Sequence, residues 1–194
     1  MEEINFTKYR DKGAYHWRQY LGNTKYRRHV DRIKKWIKEV DILDVGAGDG
    51  LITYMLKAEG EDNEPKAIEL AKNLGVFVQQ GDAYELPYSD DSFEAILMAD
   101  VLEHFGEPEK ALAEARRVAP VLYVTTPERG MVNDKFHVQE WLRDELPEFM
   151  AENGYELDGE VLVVPEEKNM YARFVRTEEK VKNNLNKDKT LSIL

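Results

Sequence analysis

The run "DILDVGAGDG", residues 41–50, sets a short apolar segment against three glycines spaced two apart, Gly46, Gly48 and Gly50, with Asp44 inside the apolar part. "ILDV" reads as a buried strand, because strands covered on both faces carry near-continuous apolar runs. Glycine admits positive φ and lets another group approach the backbone closely. The helix expected from Leu51 onward opens with unsatisfied N–H groups and the positive end of its dipole. Strand, glycine turn and helix together form a place where a ligand meets bare backbone.

Working outward, "LITYMLK" reads as a short helix, because Asp62 comes only 12 residues after Gly50, and "AEGED" as the second strand. "NEPKAIELAKNLG" has Pro65 in a first helical turn and Gly75 after its end, with Ala67, Ile68, Ala71 and Leu74 as the buried stripe. "VFVQQ" is a third strand, followed by the polar loop "GDAYELPYSDDS", and "FEAILMA" is a fourth, buried on both faces. "EPEKALAEARRV" repeats the proline-first helix with Ala111, Leu112, Ala115 and Val118 inward, and "VLYVTTP" is a fifth strand. A helix near "RDELPEFMAENG" then precedes two strand-like runs, "YELDGEVLVV" and "MYARFVR", which read as an antiparallel hairpin. Ahead of all this, Tyr26, Val30, Ile33 and Ile37 mark an amphipathic helix. The order predicts an α/β fold: a doubly wound, mostly parallel seven-stranded sheet with a C-terminal antiparallel hairpin, helices on both faces and ligands at the carboxyl ends of the strands. Three units are expected: a basic, aromatic N-terminal arm and helix over 1–40, a ligand-binding core over 41–177 and a polar tail over 178–194.

Composition narrows the function classes. The 194 residues, 42% apolar and 34% charged, describe an ordinary globular chain of one domain. Cysteine is absent, which excludes disulfides, thiol nucleophiles and cysteine-ligated zinc. The four histidines, His16, His29, His104 and His137, never fall at metal-ligand spacing, so no metal site is expected. The first twenty residues lack the apolar core of a secretory signal and no apolar run reaches a membrane span, so a cytoplasmic location is expected. The net charge of −11 disfavours nucleic acid, although residues 1–40 carry 11 Lys/Arg against 5 Asp/Glu.

The glycine turn fits two nucleotide classes. Dinucleotide folds use G-x-G-x-x-G and place a pyrophosphate at the helix N-terminus. Here the third slot is Leu51, the glycines read G-x-G-x-G, and Asp44 lies just before them. An acid there repels a pyrophosphate, whereas S-adenosylmethionine (SAM) offers an ammonium and a sulfonium. Asp62, 18 residues past Asp44, suits the ribose of either cofactor. Asp82 is placed to accept from an adenine amino group.

At this point "LDVGAGDG", "EDNEPKAIELAK", "GDAYELPYSDDSFEAILMADVLEHF" and "EPEKALAEARRV" resemble, in order, successive motifs of the class I SAM-dependent methyltransferases. They are most similar to the branch that includes the ubiquinone and menaquinone biosynthesis methyltransferases. The resemblance runs from about residue 40 to 155 and takes in "HVQEWLRDELPEFMAENGY". It implies that Gly46, Ala47 and Gly48 meet the methionine part of SAM, with Asp44 beneath them near its amino group. It implies Asp62 on the ribose with Asn63 beside it, Asp82 and Ala83 around the adenine, and Ala99 and Asp100 along the path to the methyl group. The chain departs from the family pattern in a shorter segment between Gly50 and Asp62 and in a reduced turn, Ala119-Pro120, before the fifth strand.

A methyl donor already carries its activated group, so such a protein mainly positions the acceptor and excludes water. His104, in "LEHF" after the fourth strand, is the candidate catalytic base, and its alternative role is structural. Glu103 shares that ambiguity. Tyr15, Trp17 and Tyr20 read either as a staple onto the body or as a lid lining the substrate site, hinged at Gly13 and Gly22. Arg27 or Arg28 is the candidate for the cofactor carboxylate. The expected activity is methyl transfer to a small-molecule acceptor. Its competitors are an RNA or protein methyltransferase, an NAD-dependent oxidoreductase and a SAM-binding protein without turnover.

Overall fold

A computed structural model describes residues 7–177 of the chain. The polar tail expected over 178–194 lies outside them. Three helices come first: α1 (Lys8–Lys12), α2 (Tyr15–Gly22) and α3 (Thr24–Trp36). They are followed by β1 (Ile42–Val45), α4 (Leu51–Leu56), β2 (Glu59–Asp62), α5 (Pro65–Asn73), β3 (Val78–Gln80) and β4 (Ala95–Ala99). A 3-10 turn over Leu102–His104 leads to α6 (Pro108–Val118), β5 (Val121–Thr126), α7 (Glu145–Glu152), β6 (Tyr155–Leu157), β7 (Leu162–Val164) and β8 (Asn169–Arg176).

The sheet runs β3-β2-β1-β4-β5-β8-β6, parallel from β3 to β5 and antiparallel at β8. Among the described residues it holds eight strands where seven were expected. The single run read over 155–164 is broken at Asp158–Glu160, where Gly159 takes φ 96° and the Asp158 N–H still donates to the Arg173 carbonyl at 2.9 Å. The two fragments, β6 and β7, follow one another along the same edge of β8. An interruption of this kind bends a strand while keeping its place in the sheet.

Alternation along the central strands sorts residues to two faces. Leu43 and Val45 of β1, Ile96 and Met98 of β4, and Leu122 and Val124 of β5 pack with Ala111, Leu112, Ala115 and Val118 of α6 and with Leu146 and Met150 of α7. Ile42, Leu97 and Tyr123 point the other way, onto Ile33 and Ile37 around α3. Helices therefore cover both faces. The stripe of α5 is narrower than expected: Ala67 and Ala71 are buried, but Leu74 is 46% exposed because the helix stops at Asn73 and Leu74 already belongs to its cap. Strand order reverses direction between β1 and β4, and their carboxyl ends open the crevice in which doubly wound sheets bind ligands.

Candidate active site

A cavity of about 680 Å³ lies at this crevice. Its walls include Asp44, Gly46 and Ala47 from β1 and the turn after it, Asp62 and Asn63 from the end of β2, and Ala99, Asp100 and His104 from the end of β4. Asp44 belongs to the α3 side of β1 by strand alternation and is buried. Its Oδ2 accepts from the Thr53 hydroxyl at 2.7 Å, and burial pushes its carboxyl up to about 6, so it is an anion at neutral pH. The two Asp62 oxygens accept from the Gly48 N–H at 2.7 Å and the Glu64 N–H at 2.8 Å. Asp62 thus ties the glycine turn to the start of α5, while burial raises its carboxyl above the ordinary range.

The glycines answer to more than a ligand. Gly48 has φ 58°, and a Cβ on it would collide with the Tyr9 hydroxyl of α1. Gly46 has φ 77°, and a Cβ on it would collide with Val101. Both need glycine because the chain turns left-handed there and its own side chains pack onto the bare backbone. Tyr9 is a residue that sequence reasoning missed. A lone tyrosine in "KYRDK" carries no periodic signal, yet it is 5% exposed and packs at 5.3 Å from Tyr15 and 5.9 Å from His16.

Of the three arm aromatics, Tyr15 lines the cavity, whereas Trp17 and Tyr20 do not. Trp17 donates to the Asp49 carbonyl at 2.9 Å, its ring lies 5.4 Å from Tyr54, and it packs against the cluster of Ala47, Ala71, Val76 and Val78. The Tyr20 hydroxyl donates to Asp31 at 3.0 Å. Asp49 anchors the arm: it is fully buried, and its carboxylate accepts from the His16 N–H at 3.0 Å and lies 3.2 Å from His16 Nδ1. Neither arginine candidate lines the cavity: Arg27 donates to the Tyr20 and Leu21 carbonyls, and Arg28 lines a separate hollow. Gly48, Asp82 and Ala83, also expected at the cofactor, lie outside the lining as well. The Asp82 carboxylate accepts from the Tyr84 N–H at 2.9 Å, closing its own loop.

At the far wall the chain is held unusually. Asp100 takes φ 54°, uncommon for a residue with a side chain, and such conformations cluster at functional sites. The Thr125 hydroxyl, at 2.7 Å, and the Asn169 amide, at 3.2 Å, both donate to its carboxylate. His104 Nδ1 lies 2.9 Å from the Phe136 carbonyl. A carbonyl only accepts, so Nδ1 carries the proton and Nε2 the lone pair. Burial lowers the pKa of this imidazole.

Comparisons with known proteins bear on the family and the fold. Residues 43–120 match the family model described as a methyltransferase domain. The chain is 32% identical over 106 residues to the demethylmenaquinone methyltransferase of Thermotoga maritima, covering 50% of this chain and 46% of that protein. It is 34% identical over 90 residues to the corresponding enzyme of Deinococcus radiodurans, covering 40% and 37%. The match spans less than half the length of either relative. Among solved structures, a Thermotoga maritima SAM-dependent methyltransferase, described as a possible histamine N-methyltransferase, superposes with a TM-score of 0.71 at 23% identity, covering 86% of this chain and 97% of that one. Magnesium protoporphyrin IX methyltransferase from Synechocystis, solved with bound SAH, gives 0.67 at 13% identity, covering 88% and 97%. These structural likenesses show the fold. No helix among the described residues is long and apolar enough to cross a membrane.

Proposed function

We propose that this chain, a class I SAM-dependent methyltransferase by its fold and by the domain that residues 43–120 match, transfers a methyl group from SAM to a small-molecule acceptor. The observation that carries the reading is the single cavity that gathers Asp44, Gly46, Ala47, Asp62, Asn63, Ala99 and Asp100 from three strand ends. The donor set suits the cofactor. Carboxylates and bare backbone face a ligand that bears an ammonium, a sulfonium and ribose hydroxyls, and about 680 Å³ falls in the range of small-molecule sites. When bound, SAM supplies an electrophilic methyl group on a sulfonium that leaves as a neutral thioether.

The chain's own residues do the rest. Asp44 offers a buried negative charge beneath the turn to the cofactor's ammonium. Asp62, already placed by two backbone N–H groups, accepts from ribose hydroxyls. Ala99 and Asp100 bound the passage toward the β4 wall, where His104 presents its lone pair and can take a proton from the acceptor. Tyr9, Tyr15 and His16 roof the turn, so residues 8–16 are the segment that excludes water when a ligand is present. The acidic overall charge and the absence of cysteine fit a cytoplasmic small-molecule enzyme. Incubation with methyl-labelled SAM and a small-metabolite extract tests the activity. Label is expected in a low-mass product. Bound SAM with no label transferred to any fraction would favour a binding protein instead.

A further inference from the structure

Beside the proposed cofactor lies a group of side chains, Glu103, His104 and His137, of which only His104 has a part in the methyl transfer proposed above. Glu103 is 1% exposed, and its carboxylate makes no well-formed hydrogen bond, although the Thr126 hydroxyl and its own backbone N–H are close enough to favour its charge. The Thr126 hydroxyl is likewise buried without a well-formed hydrogen bond. A buried carboxylate with only such weak donors calls for a cation or a proton.

Two imidazoles stand next to it, on loops that sequence spacing does not connect. The His104 and His137 ring centroids are 5.1 Å apart, and one ligating atom from each of Glu103, His104 and His137 lies within 4.8 Å of the others. Each ring is oriented by its Nδ1. That of His104 donates to the Phe136 carbonyl at 2.9 Å, and that of His137 to the Glu140 carboxylate at 2.7 Å. Both therefore carry the lone pair on Nε2. A carbonyl or carboxylate behind the distal nitrogen is how metal-binding histidines are fixed in tautomer and direction. The 134–139 segment is itself pinned here, since the Val138 and Gln139 N–H groups donate to the Glu103 carbonyl and the Gln139 side chain donates to the Phe105 carbonyl. Lys8, the cation on the same wall, is held by Asp134 at 2.5 Å and also faces the Glu103 carboxylate electrostatically.

We propose that Glu103, His104 and His137 bind one divalent first-row cation of the zinc class, with its remaining coordination positions open to the cavity. Two imidazoles and one carboxylate suit zinc, cobalt or iron(II) better than calcium or magnesium, which prefer all-oxygen shells. Three protein ligands leave room for a ligand from the acceptor. Resting on the methyltransferase reading, this deepens it: the acceptor is a small molecule bearing a hydroxyl that binds the cation through oxygen. Coordination lowers the hydroxyl's pKa and its proton leaves to solvent. The oxygen lone pair then forms the C–O bond as the C–S bond of SAM breaks, and that electron pair stays on sulfur. His104 serves as a ligand in this arrangement, and its role as a base falls away.

The test begins with the full chain stripped by a chelator and titrated with Co²⁺, followed by visible absorption and calorimetry. One Co²⁺ per chain is expected, with d–d bands of a low-coordinate nitrogen and oxygen site that Zn²⁺ bleaches. Glu103→Gln, His104→Gln and His137→Gln should each weaken Co²⁺ by about tenfold or more, and Glu140→Gln, which removes only the support behind His137, by about tenfold. Absence of stoichiometric Co²⁺ binding to the unaltered chain overturns the proposal without any variant having to fold. So does binding that all the variants retain. Calorimetry of SAM in the presence of chelator is run separately. No SAM binding there would sink the methyltransferase reading, whereas SAM binding without Co²⁺ binding sinks only the metal site.

Discussion

The two ends of the cavity are built in opposite ways. At the proposed cofactor end, the working groups come from one stretch, residues 44–64, and their carboxylates are already satisfied: Asp62 by Gly48 and Glu64, Asp44 by Thr53. At the proposed acceptor end, the walls come from α1, the β4 turn, the 132–138 segment and the start of β8. There Asp100 is strained in φ and Glu103 is buried without a well-formed hydrogen bond. A ligand of fixed chemistry can be held by short-range backbone geometry. An acceptor that differs from enzyme to enzyme is held by loops that tertiary structure alone brings together.

Glu61 tests whether an unpartnered carboxylate belongs only to the acceptor end. It is 1% exposed, lies one residue before Asp62, has no hydrogen-bond partner and is not in the cavity lining. Burial, then the neighbouring Asp82, pushes its carboxyl up from 4.5 to about 7. The folded state therefore holds this proton more tightly than the unfolded chain does. The associated stability is fully present below about pH 4.5 and is lost as pH rises through about 7, a loss of roughly 3 kcal/mol at most. Glu61→Gln should raise the melting temperature at pH 8 and flatten its decline between pH 5 and 8. An unchanged pH profile would show that Glu61 finds a partner in solution.

At the cofactor end, Asp62→Ala should weaken SAM by roughly 1.5–3 kcal/mol, the value of a lost charge-assisted hydrogen bond, as read by calorimetry. Because Asp62 also receives two backbone N–H groups, the apo protein should melt lower as well. Equal SAM affinity in variant and parent would remove Asp62 from the site. Gly48→Ala places a side chain at φ 58° against Tyr9 and should cost about 1–2 kcal/mol of stability, measured by urea unfolding. Adding Tyr9→Ala should recover part of that loss. No recovery would show that the strain is in the backbone alone.

The sheet was legible because its signals are local. The apolar run of β4, the prolines opening α5 and α6, and the stripe Val30–Ile33 of α3 all act within one element. Asp44 and Asp62 were readable as cavity residues for the same reason, lying at strand ends beside a glycine turn. Leu74 was misread because periodicity does not show where a helix stops, and the 155–164 run because one bulge leaves its apolar pattern intact. Tyr9 over Gly48, and His104 beside His137, are meetings between distant segments that no spacing encodes. Trp17 and Tyr20 were correctly seen as aromatic and on the arm, but their N–H and O–H groups find Asp49 and Asp31 and turn them away from the cavity.

The smallest expected effect concerns the roof. The Tyr9, Tyr15 and His16 rings cover the turn, while α1 and α2 rest on few buried residues: Tyr9 in the first and none in the second. Such elements open at low cost. Amide hydrogen exchange over residues 8–20 should slow several-fold on adding SAM, with little change in α3. Full protection in the apo protein, unaltered by SAM, would make the arm a permanent staple.

The most direct measurement is calorimetric titration of the unaltered chain with SAM and, in parallel, with NAD. The structure predicts one SAM per chain and no heat from NAD, because Asp44 is a buried anion beneath the turn and Leu51 fills the position where a dinucleotide turn needs its third glycine. Binding of NAD in preference to SAM, or of neither, would contradict it.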